Sequence, residues 1–393
     1  MTQGTNPDTG EPVASTTPTE LKARIDDGED VFILDARSED DFEEWRIGGE
    51  SVEIVNYPYF QLLDGIPEDL HEALPDDRRI TVLCAKGGSS ELVAEHLEAE
   101  GYEVDHLERG MKGWARIYEY QELDAAGDVT VAQYQRPSSG CLAYLVVSDG
   151  EAAVVDPLRA FADEYVRDAK ALGADLTYAL DTHVHADHIS GIRDLSAGTD
   201  TTAVLPEAAA DRGVDYDADF ATVEDGETLS LGDTEIEVVH TPGHTTGMTA
   251  YRVGDVLFTG DGLFTESVAR PDLEDPEAAR DAARTLYESL TERVLSLPDE
   301  TVVAPAHFSD AATPADDGTY TAELGDLEAR MDALSMDEAE FVEFIVADMP
   351  PQPANYEEII AANLGRQSPD DETAFELELG PNNCAASEDA LTN

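Results

Sequence analysis

Basic residues are scarce in this chain: 23 Lys and Arg stand against 87 Asp and Glu in 393 residues, a net charge of −64. A field of that sign repels nucleic acid and anionic membranes and excludes both as partners. The acids are spread along the whole chain, so they do not form an interaction tail. A solvated acidic surface with few lysines fits adaptation to high salt, where screening removes the self-repulsion, and a halophile is the expected source. Only three cysteines occur, Cys84, Cys141 and Cys384, far apart and odd in number, which excludes a disulfide framework. No apolar run approaches a membrane span. Residues 1–19 are polar and lack the basic-then-apolar order of a secretory signal. A cytoplasmic protein is expected, and the sequence does not decide whether it forms a homo-oligomer.

What the chain does have is 41% apolar residues, enough for globular cores, over a length that one core does not usually organise. Two domains are expected, at 19–123 and 128–366, after a loose leader at 1–18 and before a polar extension at 367–393. The first domain reads as α/β with a parallel sheet. Apolar runs at 31–34 and 80–83 read as buried strands and 104–107 as a shorter one. A helix after the second strand is expected to turn Leu92, Val93, Leu97 and His96 inward. That strand runs into Cys84-Ala85-Lys86-Gly87-Gly88-Ser89-Ser90. Glycines there let backbone N–H groups converge at a helix N-terminus, a setting that favours a nucleophilic thiolate at Cys84.

The second domain opens as a β-meander over 129–157, with a turn at Ser148-Asp149-Gly150. Its central feature is Thr182-His183-Val184-His185-Ala186-Asp187-His188, at the exit of an expected buried strand. On extended backbone His183 and His185 point to one side, and a turn can bring Asp187 and His188 to the same point. Imidazole and carboxylate are ligands for zinc, iron and manganese. Three further candidates each end a predicted strand: His244 in a Pro-Gly turn, Asp261 in Gly-Asp-Gly, and His307. Strand ends are a usual way to hold ligands rigid.

Two family resemblances rest on these residues. Leu34-Asp35-Ala36-Arg37, Arg46-Ile47-Gly48-Gly49, the Cys84 loop and residues 107–114 resemble a single rhodanese (sulfurtransferase) domain. That resemblance implies a sulfane sulfur carried on Cys84; Ser89 stands where the family often has an arginine. His183, His185, Asp187, His188, His244, Asp261 and His307 resemble the ligand set of the metallo-β-lactamase superfamily, which implies an αββα sandwich. Within it, the persulfide dioxygenase branch implies one Fe(2+) per chain on His183, His244 and Asp261. His185, Asp187, His188 and His307 would then support those ligands, with Asp187 as a proton carrier. The hydroxyacylglutathione hydrolase (glyoxalase II) branch implies two Zn(2+) per chain on all seven. Ser267-Val268-Ala269-Arg270-Pro271-Asp272 resembles the dioxygenase substrate loop, implying that Arg270 binds a substrate carboxylate; Ala269 replaces a glycine. Residues 297–307 and 349–356 resemble fused rhodanese–dioxygenase proteins, although Phe308 stands where a tyrosine is common. The expected activity is oxidation of a small-molecule thiol persulfide with O2 to sulfite and thiol. The alternatives are a dinuclear zinc thioester hydrolase and a non-catalytic sulfur carrier or redox sensor.

Overall fold

A computed structural model describes residues 13–63, 65–124, 129–309, 311–347 and 349–386. The chain divides into two compact units, Met1–Ile117 and Tyr118–Asn393.

The first unit is built on the strand Val31–Asp35, buried along its whole length. Val31 and Ile33 join one core with Leu21, Leu83 and Trp114, while Phe32 and Leu34 join another with Val82, Val93 and Leu97. A period of two thus feeds both faces, as in a parallel sheet covered on each side. The five strands run, in spatial order, Ser15–Thr16, Val104–Leu107, Ile80–Leu83, Val31–Asp35 and Val52–Asn56. All pair in parallel. Thr17 and Glu20 form a reciprocal cap on the helix Pro18–Asp26, so part of the expected leader is structured.

The helix Gly88–Glu100 follows the Cys84 loop but corrects the expected inner face. Ser90, Val93, Ala94 and Leu97 are buried, whereas Leu92 is 55% exposed and His96 is exposed. Positions 90, 93, 94 and 97 follow the three-and-four spacing of one stripe. Leu92 lies one residue, or about 100° of rotation, off it.

The second unit is an αββα sandwich. Its first sheet has seven strands, in spatial order Ala221–Val223, Thr202–Pro206, Asp175–Leu180, Glu151–Val155, Cys141–Ser148, Thr130–Arg136 and Glu119–Glu122. The second has six: Thr228–Leu231, Thr234–His240, Thr249–Val253, Val256–Gly260, Val302–Pro305 and Ala322–Glu323. Tyr144, Val155, Leu180 and Val204 from one sheet meet Ile236, Val238, Tyr251 and Phe258 from the other in a single core. Outer faces are covered by Ala162–Ala171 and Ile192–Gly198 on one side, and by Ala279–Ser289, Leu324–Arg330 and Glu338–Ala347 on the other.

Both expected domain limits shift. Glu119–Glu122 pairs with Thr130–Arg136, so residues up to 123 belong partly to the second unit; the expected start at Asp128 lies outside the described residues. Residues 367–386 of the expected extension are not loose, and 387–393 lie outside the described residues. The described part forms the helix Asp371–Leu377 and buries Ala374, Phe375, Glu378, Cys384 and Ala386. Its polar composition hid this because one buried carboxylate, Glu378, pairs with the buried Arg136 at 2.8 Å. Among the described residues no helix is long and apolar enough to cross a membrane.

Candidate metal centre

Four strand ends converge at one edge of the sandwich. Residues 183–188 leave Asp175–Leu180, His244 follows Thr234–His240, Asp261 follows Val256–Gly260 and His307 follows Val302–Pro305. Two glycines make the approach possible. Gly243 has φ +145°, and a Cβ there would sit 2.4 Å from the Leu286 backbone. Gly260, at φ +53°, leaves no room for a Cβ against Thr182 and Met248.

His183 Nε2 and His244 Nε2 lie 3.6 and 3.5 Å from Asp261 Oδ2. All three residues are at most 1% exposed, and these three atoms have no hydrogen-bond partner. Their other ends are committed. The Thr182 hydroxyl donates to Asp156 Oδ2 at 3.0 Å and lies 2.9 Å from His183 Nδ1. That hydroxyl has one proton, so it accepts from His183, and Nδ1 carries the hydrogen. His244 Nδ1 faces the Arg270 carbonyl at 2.8 Å, which only accepts. Both rings are thereby set in the tautomer that leaves Nε2 with a free lone pair, the form a metal takes. Burial pushes both pKa values down, and the neighbouring His185 adds to this at His183. Burial alone would raise Asp261, but His307 and His183 outweigh it and hold the carboxyl below its ordinary range. Two neutral imidazoles and one carboxylate, converging and otherwise unpartnered, fit a divalent transition metal.

The remaining candidates are close but differently engaged. His307 lies between two carboxylates, with Nδ1 2.6 Å from Asp261 Oδ1 and Nε2 2.7 Å from Asp187 Oδ2. Both nitrogens face carboxylate oxygens; burial opposes a charge on this ring, but the charges of Asp261 and Asp187 outweigh it and push its pKa above the ordinary histidine value. Asp187 Oδ2 also receives His188 Nδ1 at 3.1 Å and the Cys141 thiol at 3.1 Å. Asp187 Oδ1 and His188 Nε2 remain unpartnered. His183 and His185 lie side by side, with ring centroids 4.2 Å apart, although the loop is irregular and not extended, and His185 Nε2 turns to Asp156 at 3.0 Å.

Arg270 departs from its expected role. It is 1% exposed, and its guanidinium is bonded to Asp272 at 2.7 and 3.0 Å, to Pro351 O at 2.8 Å and to Asn383 O at 2.9 Å. Two carbonyls of the C-terminal segment take the donors that a substrate carboxylate would need, so its observed work is to tie that segment down and support His244.

Four residues that sequence reasoning passed over shape the site. Asn363 Nδ2 donates to the carbonyls of His185 and His188 at 3.0 and 2.8 Å, and its Oδ1 accepts from Ser190 N at 2.9 Å. Glu378 accepts from Ile189 N at 2.8 Å. Asp156 anchors Thr182, and Cys384 lies within 4.8 Å of Asp187, Asp261 and His307. No local signal marked Asn363 or Glu378, since each acts from more than 170 positions away.

In the first unit, Cys84 is 6% exposed, and its Sγ receives Gly87 N at 3.1 Å and Ser90 N at 3.4 Å. The helix Gly88–Glu100 starts there, with Gly87 at φ +97°. The expected convergence of N–H groups is present.

A metallo-beta-lactamase superfamily model matches residues 137–307, and a rhodanese-like domain model matches residues 17–117. The mitochondrial persulfide dioxygenase ETHE1 of Bos taurus is 32% identical over 195 residues, 48% of this chain and 71% of that protein. The chain belongs to the metallo-beta-lactamase superfamily. A rhodanese-like domain precedes the superfamily domain. A hydroxyacylglutathione hydrolase of Erythrobacter litoralis is 31% identical over 42% of this chain and 60% of that protein. The crystal structure of ETHE1 from Myxococcus xanthus superposes with a TM-score of 0.52 at 28% identity, covering 60% of this chain and 97% of that one. The superfamily domain and its buried donor set make this a metalloenzyme.

Proposed function

We propose that the second unit is a persulfide dioxygenase holding one Fe(2+) on His183, His244 and Asp261. The observation that carries this reading is the division of the donors. One triad, two imidazoles and a carboxylate, has its ligand atoms free, while His307 is fixed between Asp261 and Asp187. Ferrous iron bound by such a triad supplies open positions for sulfur and O2 and the capacity to couple them. The net reaction is RSSH + O2 + H2O → RSH + H2SO3, in which the outer sulfur loses four electrons and O2 gains them. His183 and His244 present lone pairs because Thr182 and the Arg270 carbonyl take their other protons. His307 orients Asp261 through Oδ1 and keeps Oδ2 for the metal. Together with Asp187 it stores a proton within reach of the reacting groups. In the first unit, the Cys84 thiolate would take a sulfane sulfur, RSSH + Cys84-SH → RSH + Cys84-SSH, under the Gly87 and Ser90 N–H groups.

Support comes also from the ETHE1 relatives, which cover more of their own length than the hydrolase does. A second reading, a two-zinc thioester hydrolase, is favoured by the unpartnered Asp187 Oδ1 and His188 Nε2. Metal analysis of protein purified without added metal, paired with oxygen-electrode and thioester assays, separates the two. One iron with persulfide-dependent O2 uptake, both lost in Asp261→Ala, is expected. Two zinc ions with thioester hydrolysis would overturn the dioxygenase.

A further inference from the structure

Cys141 has no task in the reactions above, yet it stands where the metal centre meets a row of phenols. Its Sγ lies 3.1 Å from Asp187 Oδ2, and Asp187, His188 and His307 each bring an atom within 4.8 Å of it. It also packs into one core with Tyr134, Phe161 and Tyr165. It is near enough to Tyr118 and Tyr165 for its charge to oppose their ionisation. Tyr165 and Tyr134 meet edge to face with ring centroids 4.8 Å apart, Tyr118 stacks on Tyr134 at 5.3 Å, and Tyr120 meets Tyr134 at 5.5 Å. Tyr165 and Tyr134 are buried, whereas Tyr118 and Tyr120 are half-buried, so the row runs from the thiol toward solvent.

The hydroxyls set this row apart from other buried tyrosines. Packing alone is satisfied by a phenyl ring, as Phe161 shows against Tyr118 at 3.9 Å. Tyr134 donates to Asp168 Oδ2 at 3.1 Å, Tyr120 donates to Glu122 Oε1 at 3.0 Å, and the Tyr118 and Tyr165 hydroxyls bond each other. A phenol that loses an electron also loses its proton, which a carboxylate takes and a carbonyl does not. Tyr144 and Tyr251 are as deeply buried, but they donate to the carbonyls of Pro305 and Asp181 at 2.6 and 3.0 Å.

We propose that Cys141, Tyr165, Tyr118, Tyr134 and Tyr120 form a protective electron path, which carries oxidising equivalents from the metal centre to solvent when no persulfide is bound. The path rests on the dioxygenase reading for its oxidant, hydrogen peroxide meeting ferrous iron: Fe(2+) + H2O2 → Fe(3+) + OH− + HO•. The radical takes a hydrogen atom from the nearby thiol, HO• + Cys141-SH → H2O + Cys141-S•. Electrons then step inward along the row, with the net change Cys141-S• + Tyr120-OH → Cys141-SH + Tyr120-O•. Asp168 and Glu122 hold the phenol protons in transit. A small-molecule thiol, which the proposed reaction itself produces, ends the sequence at the surface: RSH + Tyr120-O• → RS• + Tyr120-OH, and two RS• couple to RSSR. The imidazoles of the metal centre are thereby spared.

The test uses full-length, ferrous-loaded protein without persulfide or O2, treated with an equimolar amount of H2O2 and frozen at once. Electron paramagnetic resonance should show a tyrosyl radical whose signal narrows when the protein carries ring-deuterated tyrosine. Tyr134→Phe removes one hydroxyl and keeps the ring. It should lose most of that radical, with iron content and circular dichroism kept. Peptide mass spectrometry should then show more oxidation at Cys141, His183 and His188 than in the unsubstituted protein. In the unsubstituted protein a spin trap should label Tyr120 or Tyr134 and neither Tyr144 nor Tyr251, a measurement independent of how the variant folds. No tyrosyl radical, equal damage in Tyr134→Phe, or label on Tyr144 or Tyr251 overturns the path. Bound iron and persulfide-dependent O2 uptake without a tyrosyl radical overturn the path alone, whereas protein that holds no iron overturns the dioxygenase and the path together.

Discussion

The Cys84 loop and the metal centre solve the problem of holding a reactive group in opposite ways. Cys84 is served by Gly87 N and Ser90 N, both within six residues of it, and by the helix that starts beside them. The metal centre collects His183, His244, Asp261 and His307 from four strand ends, and its loop is gripped by Asn363 and Glu378 from the far end of the chain. A local site made of backbone donors tolerates side-chain change around it. A site assembled across the chain depends on side chains that touch neither metal nor substrate.

The largest expected effects test whether the two sites are separable. Cys84→Ser should abolish sulfane-sulfur loading of the first unit while leaving O2 uptake with a supplied small-molecule persulfide near the unsubstituted rate. Asp261→Ala should do the reverse, removing metal and O2 uptake and leaving Cys84 able to be loaded. Mass spectrometry after loading places the added sulfur, and the oxygen electrode follows the other reaction. Loss of O2 uptake in Cys84→Ser would show that the sites work in series through a bound intermediate.

The next effect concerns Glu378, whose carboxylate is 1% exposed against an Arg136 side chain that is fully buried. Glu378→Gln removes the carboxylate that meets the buried Arg136 guanidinium at 2.8 Å. Removing one member of a buried pair costs about 3–5 kcal/mol. Denaturant unfolding should show that loss in the second unit, with Cys84 loading unchanged in protein that remains folded. A loss below about 1 kcal/mol would mean that the tail is not part of the fold's stability.

How much of this was legible in the sequence follows the same division. Strands with unbroken apolar runs, such as Val31–Asp35 and Cys141–Ser148, declare themselves because burial on both faces demands it. The ligand types were legible because histidine is rare here and sits at strand ends. The hydrogen bonds that choose tautomers were not. Neither Thr182 against His183 nor the Arg270 carbonyl against His244 follows from residue identity. Arg270 misled for the same reason, since a guanidinium looks alike in sequence whether it awaits a substrate or holds Pro351 and Asn383. The tail beyond 366 misled through composition, because a handful of inward residues suffices to dock a mostly polar segment.

Asn363→Asp sharpens the point at smaller cost. The change is nearly isosteric, and the remaining oxygen can still accept from Ser190 N. The two donor bonds to the His185 and His188 carbonyls become repulsive contacts. Loss of a group that orients ligands usually weakens metal binding 10–100-fold. Competition with a chromophoric chelator should read a shift of about that size, and Asn363→Gln should restore less than full affinity because its amide is one methylene too long. Unchanged affinity in Asn363→Asp would show that the loop holds its shape unaided.

The smallest effect is expected at Leu92, and it tests the local site. The apolar pattern of the helix Gly88–Glu100 suggests Leu92 as a core residue, yet it is 55% exposed while Val93 and Leu97 are at most 3% exposed. If burial governs, Leu92→Glu should change the stability of the first unit by no more than about 0.5 kcal/mol, as for other surface changes. One more carboxylate adds little to a chain that already carries −64. Val93→Ala, one position along, opens space in a packed interior and should cost about 1–3 kcal/mol. Cys84 loading should survive both, because the Gly87 and Ser90 N–H groups belong to backbone that neither substitution removes. A large loss in Leu92→Glu with a small one in Val93→Ala would reverse the assigned inner face of this helix.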